Sequence, residues 1–168
     1  MKKVELGFYT KEHLQFLHEM LSDEETKKYF PYMYTTHIDQ SRLRLRTRLT
    51  DQEWGYKDRF LIIDKKSKEP VGEISGIPLR DKSFVNKKDK YTMELAIIIH
   101  PNYRGQGYAK AGTLAFMKHI IKNRKEINKI RLIIADSNKS SLSVANKLEF
   151  TFSKMENENM QYWEKDIR

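Results

Sequence analysis

Cysteine is absent from this 168-residue chain, which excludes disulfides, cysteine-ligated metal and a cysteine nucleophile. Any acyl transfer must then run without an acyl-cysteine intermediate. Also missing is an apolar run near the ~20 residues that a helix needs to span a bilayer. The opening Met1-Lys2-Lys3 leads into a strand rather than the apolar core of a signal peptide. A cytoplasmic protein with no membrane partner is expected. There are no repeats or low-complexity tracts, and the length is that of one domain, residues 1–168, with a substantial core. His37, His100 and His119 lack metal-like spacing, so no metal site is expected.

Positive charge is in excess. Lysine and arginine total 32 against 23 acidic residues, a formal net charge of +9. These residues are spread over nearly every segment, the pattern of a solubilising surface more than of a nucleic-acid footprint. The field still favours polyanions and disfavours a polycationic ligand, unless a local acidic pocket overrides it.

Periodicity gives the elements. Val4 to Tyr9 reads as a strand, followed by a helix from Lys11 to Leu21 with Thr10 as cap and Leu14, Leu17 and Leu21 at helical spacing. A short helix starts at Ser22 or Asp23 and ends near Phe30-Pro31. A third begins at Thr35 or Thr36, with Ile38, Leu45 and Leu49 on one face; the arginines from Arg42 to Arg48 read most simply as its solvated side. Arg59–Asp64 and Pro70–Leu79 read as strands joined by the turn Lys65 to Glu69, and Asp81 to Lys90 as a polar loop. Tyr91–His100 is a strand whose middle, Met93 to Ile99, is apolar on both faces, so helices are expected above and below it. A helix over Gly107–Lys122, a strand over Ile130–Ala135, a helix over Asn138–Leu148 and a hairpin of Phe150–Met155 with Met160–Lys165 complete the chain. An antiparallel beginning and a later βαβ unit predict an α/β fold with a mixed sheet, in which the two helix-linked strands are parallel neighbours through a right-handed crossover.

Arg104-Gly105-Gln106-Gly107-Tyr108-Ala109 joins the central strand to its helix. Small residues let a backbone approach a ligand, and the N–H groups of a helix's first turn favour an anion. Arg104 adds a positive charge. The dinucleotide fingerprint fails, because its third glycine is missing and the later stretch is an amphipathic helix. The P-loop fails as well: Gly107 and Gly112 are correctly spaced and Thr113 follows, but the lysine that must sit before the threonine is absent. Arg-x-x-Gly-x-Ala after a buried strand closely resembles the pyrophosphate loop of the GNAT N-acetyltransferase superfamily. Ser137-Asn138-Lys139-Ser140-Ser141 and Lys147-Leu148-Glu149-Phe150 strengthen the resemblance. Asn138, Ser141, Leu148 and Phe150 match the pattern of members similar to the ribosomal-protein alanine N-acetyltransferases. By itself Asn138 also reads as an ordinary N-cap.

The resemblance implies a single domain with a mixed sheet, two splayed parallel strands and helices on both faces. It implies acetyl-CoA as donor, with its phosphates on residues 104–109, Asn138 nearby, and its pantetheine arm pairing like an added strand with Ile97, Ile98 and Ile99. The acceptor is a primary amine, on a small molecule or a protein N-terminus, with a ribosomal protein among the candidates. Two positions depart from the family pattern. The usual glycine is Glu149, and the tyrosine that many members place to protonate the departing thiolate is Ala145.

Direct transfer needs a neutral amine, a donor for the oxyanion, and protonation or stabilisation of the thiolate. An α-amine with a pKa near ~8 is partly neutral at pH 7, whereas lysine near ~10.4 is almost wholly protonated. Glu94, at the start of the apolar stretch, is the first candidate base, and Glu73 the reserve. Either carboxylate also reads as an ordinary ion-pair partner. Ser141, at a helix start, is the candidate donor to sulfur. Tyr29, Tyr32 and Tyr34 gather near Pro31 in the connection that in the family borders the acceptor cleft. A ribosome or nucleic-acid binding module on this fold and a catalytically silent acyl-CoA sensor remain open, as do monomer and homodimer. Salt-dependent RNA binding would mark the first of these, and acetyl-CoA binding without thiol release the second.

Overall fold

A computed structural model describes residues 2–55, 58–79 and 90–168. In chain order these form β1 (Val4–Gly7), α1 (Leu14–Leu21), α2 (Glu24–Tyr29), α3 (Ile38–Trp54), β2 (Asp58–Asp64), β3 (Pro70–Pro78) and β4 (Thr92–Ile99). α4 (Tyr108–Asn123), β5 (Lys129–Ala135), α5 (Lys139–Lys147), β6 (Thr151–Asn157) and β7 (Met160–Asp166) follow. The sheet is mixed and seven-stranded, in the order β1-β2-β3-β4-β5-β7-β6. β1 and β2 are antiparallel, from Val4↔Asp64 to Gly7↔Leu61. β4 and β5, linked through α4, are parallel neighbours, as the βαβ reading predicts, with a register from Thr92↔Lys129 to Leu95↔Leu132. Ile97, Ile98 and Ile99 follow the last of these pairs along β4. β7 runs antiparallel to β5, from Lys129↔Asp166 to Ala135↔Met160, and carries β6 on its other edge. No helix among the described residues is long and apolar enough to cross a membrane. The polar loop expected from Asp81 lies outside the described residues as far as position 89.

Contacts divide the chain into two units, Met1–Ser75 with Ile97–Gly112, and Gly76–Ala96 with Thr113–Arg168. The divisions fall within β3, β4 and α4, so each of these elements contributes to both.

The first unit has a core of Leu17, Met20 and Leu21 from α1, Leu45 from α3, Leu61 from β2 and Ile98 from β4, with Tyr9 against them. The α1 residues recur at three and four positions, so one helix face supplies three of these side chains. Full burial of each large side chain stabilises by ~1.5–3 kcal/mol. Thr10 does stand at the start of the α1 region, its N–H donating to His13 Nδ1 (2.9 Å), but the first residues, Lys11–His13, form a 3-10 turn. Asp23 caps α2, its Oδ2 accepting from the N–H groups of Glu25 (2.9 Å) and Thr26 (3.3 Å). α3 starts later than the threonines suggest. Gln40 Oε1 accepts from the N–H groups of Thr36 (2.8 Å) and His37 (3.1 Å), which satisfies both amides outside the helix.

The expectation of a solvated arginine run needs one correction. Arg48 is 2% exposed. It lies one turn beyond Leu45, and Ser41, Leu45 and Arg48 form a buried stripe at i, i+4 and i+7. Arg42 pairs with Asp39 and Arg44 donates to the Tyr32 carbonyl, at the surface.

In the second unit Met93, Phe116, Ile120, Ile127 and Ile130 are fully buried. Asn138 caps α5 through Ser141 N–H (3.0 Å). Leu148 ends the helix, and Glu149 follows in the left-handed region at φ 59°. Glycine normally fills this position because a Cβ is strained there. Glu149 therefore keeps the usual turn at a conformational cost.

Candidate active site

The loop after β4 is built on the first unit alone. His100 N–H donates to the Val71 carbonyl (3.0 Å), which fixes the end of β4 on β3. The chain then makes a 3-10 turn over Pro101–Tyr103, with Asn102 N–H donating to His100 Nδ1 (3.3 Å). Gln106 donates its side-chain amide back to the Asn102 carbonyl (3.0 Å). Gly105 and Gly107 both lie in the left-handed region, at φ 71° and 86°. A Cβ built on either would meet no described atom within 4 Å. Glycine is thus used here for backbone conformation, and the space over the loop is open.

Tyr108 starts α4 with its side chain turned into the protein. Its hydroxyl donates to Asp64 Oδ2 (2.7 Å), its ring stands edge-on to Tyr103 (5.9 Å between centroids), and Lys2 Nζ lies 4.5 Å from the ring centre. The Tyr108 hydroxyl, helped by the N–H groups of Ser67 and Lys66, holds the Asp64 carboxyl down at about 2. This anchor fixes the first turn of α4, whose leading N–H groups have no intrahelical carbonyl to meet. Two left-handed glycines, open space and an anchored helix N-terminus fit a diphosphate.

The Arg104 guanidinium is heavily engaged. Nη2 lies 2.7 Å from Asp23 Oδ2, Nη1 lies 2.9 Å from Glu25 Oε2, and Nε donates to the Ile99 carbonyl (3.1 Å). Asp23 and Glu25 carry no motif visible in the sequence beyond the capping preference of Asp23. Their second role depends on β4 ending beside α2.

Glu73, the reserve base, is 3% exposed and enclosed by donors. Oε2 accepts from the Tyr9 hydroxyl (2.6 Å) and Arg48 Nε (2.5 Å). Oε1 accepts from Arg48 Nη2 (3.0 Å) and Arg59 Nη1 (2.7 Å). Burial alone would raise its pKa; the charges of Arg48 and Arg59 and the hydrogen bonds of Arg48 and Tyr9 outweigh it, holding Glu73 below the ordinary glutamate range. Tyr9 is driven well above its ordinary value by burial and by the Glu73 charge. Arg48 belongs to this cluster, and its spacing from Leu45 was the available signal. Of the acceptor-side aromatics, Tyr29 lies beside Lys28 Nζ (5.0 Å to the ring centre) and Tyr34 beside Lys27 Nζ (5.3 Å). Tyr32 is exposed, with Phe30 edge-on to it.

Glu94, Asn138 and Ser141 belong to the second unit. Glu94 is half-buried on β4, in register with Arg131 on β5. Arg131 is buried, its Nε donating to Glu164 Oε1 (2.7 Å) and its guanidinium lying 4.7 Å from the Tyr162 ring centre. The Tyr162 hydroxyl donates to Glu156 (3.0 Å). Burial, the Glu156 bond and charge, and the charge of Glu94 push Tyr162 up to about 12. Ser141 is half-buried in the first turn of α5, and Ala145 is fully buried one turn on. The side-chain oxygen of Asn138 serves the helix cap. Among the described residues no cluster of three or more His, Asp or Glu is arranged to hold a metal ion.

Solved structures resemble the whole chain. A GNAT-family acetyltransferase from Bacillus anthracis superposes with a TM-score of 0.76 at 19% identity, over 99% of this chain and 98% of that one. The ribosomal L7/L12 α-N-protein acetyltransferase RimL, in complex with coenzyme A, gives 0.77 at 17% identity, covering 99% and 95%. A spermidine N-acetyltransferase from Vibrio cholerae, with coenzyme A and spermine, gives 0.77 at 16% identity, covering 98% and 95%. Identities this low show the fold. No curated protein sequence matches significantly. The model of the acetyltransferase (GNAT) domain family matches residues 3–151, nearly the whole chain, and with the strand–loop–helix geometry it establishes that this protein belongs to that family.

Proposed function

We propose that the protein is an acetyl-CoA-dependent N-acetyltransferase that moves the acetyl group directly to a primary amine. The carrying observation is the loop itself: Gly105 and Gly107 both at positive φ, open space over them, and α4 anchored by Tyr108 on Asp64. Main-chain N–H groups of residues 105–109 hold the donor's diphosphate, and Ile97, Ile98 and Ile99 offer strand backbone to the pantetheine arm. The family membership and the coenzyme A bound by RimL and by the spermidine enzyme support this reading.

In the reaction the neutral amine attacks the thioester carbonyl carbon, a C–N bond forms, and the C–S bond breaks. The amine loses one proton to Glu94, directly or through water, and the thiolate leaves. Ser141 donates its O–H to the sulfur, assisted by the N-terminus of α5. With no cysteine in the chain, direct transfer needs no acyl-cysteine. Glu73 is assigned a structural part, since its oxygens already serve Tyr9, Arg48 and Arg59.

The test is thiol release from acetyl-CoA over a panel of amines, including peptides with free N-termini and spermidine. Glu94→Gln is expected to lower kcat by about 10²-fold or more, the usual range for losing a general base, with coenzyme A affinity kept in calorimetry. Ser141→Ala is expected to lower kcat by a smaller factor, again without weakening binding. Turnover unchanged in Glu94→Gln removes that residue from the mechanism, and wild-type protein that releases no thiol with any amine removes the enzyme reading.

A further inference from the structure

Arg104 is the only charged residue of the loop 104–109, and its planar fork is turned toward three protein acceptors. Nε reaches the carbonyl of Ile99, Nη2 reaches Asp23 and Nη1 reaches Glu25. One guanidinium faces two carboxylates, so the side chains at this corner bring more negative than positive charge. A diphosphate gains little attraction from such a group and would have to displace two charge-assisted contacts to claim it. The loop's attraction for phosphate is then carried by its main chain and by the α4 dipole.

The same contacts act on α2. Asp23 Oδ2 caps that helix through the N–H groups of Glu25 and Thr26 and also receives Arg104, so one oxygen ties the helix start to the loop. α2 has six residues, too few to persist without external contacts. It ends at Tyr29 and leads directly into Phe30, Tyr32 and Tyr34, the aromatic segment assigned to the acceptor.

We propose that Arg104 is a positioning residue, a strut between the donor loop and α2 that links coenzyme A binding to the placement of the aromatic acceptor segment, and that its side chain is not a phosphate ligand. This rests on the acetyltransferase reading for its ligand. The geometry of the strut is independent of it. Arginine is required because a lysine ammonium lacks the fixed fork that reaches Ile99, Asp23 and Glu25 together.

The experiment compares wild type, Arg104→Gln, Arg104→Lys and the double variant Asp23→Asn/Glu25→Gln, using coenzyme A as ligand. Calorimetry gives affinity, and amide hydrogen exchange reports on residues 24–30. Asparagine at 23 preserves a good cap while removing the ion pair, which separates capping from the strut. Expected are coenzyme A affinities within about threefold of wild type for all variants. Exchange over residues 24–30 is expected to be about tenfold faster in Arg104→Gln and in the double variant, with no full rescue by lysine. Coenzyme A should slow that exchange by at most about threefold in wild type, since the coupling is reciprocal, and not at all in Arg104→Gln.

A tenfold or larger loss of affinity in Arg104→Gln overturns the proposal, as does a tenfold or larger gain in the double variant, because either makes Arg104 a phosphate ligand. Unchanged exchange over residues 24–30 in the variants also overturns it. Should Arg104→Gln fail to fold, the double variant decides by the same readouts. Wild-type protein indifferent to coenzyme A instead sinks the acetyltransferase reading, and the exchange of α2 still decides the strut.

Discussion

At the residue scale, Glu73 shows how a carboxylate in a plausible catalytic place can be committed elsewhere. Two arginines and a tyrosine fill both of its oxygens in a site closed to water. Removing one partner of such a buried pair leaves an uncompensated charge and typically costs about 3–5 kcal/mol, far more than a surface pair. Glu73→Gln is expected to lose stability of that order in urea unfolding at pH 7. The pH dependence has a definite sign. Because the folded pKa is depressed, the stabilisation is fully present above the unfolded glutamate value of ~4.3 and declines as pH falls from there through the folded value. The gap between wild type and Glu73→Gln should therefore narrow at pH 3. A gap of constant size from pH 7 to pH 3 would mean that Glu73 has no depressed pKa. Asp64, held at about 2, adds a decline of the same sign in that acid range.

At the element scale, the end of α5 carries a strain that one substitution can relieve. Glu149 sits at φ 59° immediately after the Leu148 cap, and its contact with Lys165 (3.4 Å) is at the surface. Such an exposed pair contributes ~0–1 kcal/mol, whereas the left-handed conformation costs a residue with a Cβ ~1–2 kcal/mol. Glu149→Gly is expected to raise Tm by a few degrees, readable by calorimetry; a lower Tm would mean that the ion pair outweighs the strain. This position also marks how far the sequence can be read. The missing glycine was visible in Lys147-Leu148-Glu149-Phe150, but not that the chain keeps the glycine's conformation regardless. Strands and helices were legible because burial imposes periods of two and 3.6, and the loop was legible because its glycines serve backbone geometry. Partners distant in sequence were not. Arg48 on Glu73, Asp23 and Glu25 on Arg104, and Asp64 on Tyr108 are pairings that only the completed fold creates, and Arg48 was read as solvated because arginine seldom fills a core position without such a partner.

At the scale of the whole molecule, the excess of 32 basic over 23 acidic residues bears on the acceptor more than on the fold. Under the proposed reaction a polyamine and a peptide N-terminus are both admissible primary amines. Charge separates them. A field of this sign slows the approach of a polycation and speeds that of an acidic chain, by factors reaching ~10–10³ in association rate where steering is strong. The effect must fade as salt shortens the screening length to ~10 Å at 0.1 M. We therefore expect kcat/KM for a peptide with a free N-terminus and acidic side chains to exceed that for spermidine at low ionic strength. The ratio should fall as salt rises from about 20 to about 200 mM. The contribution from acetyl-CoA cancels in the ratio, because the same donor serves both reactions. Spermidine turnover that is efficient at low salt and declines with added salt would have the opposite sign. It would require an acidic pocket strong enough to reverse the molecule's field at the acceptor position, with an acceptor selected by that pocket rather than by the net charge.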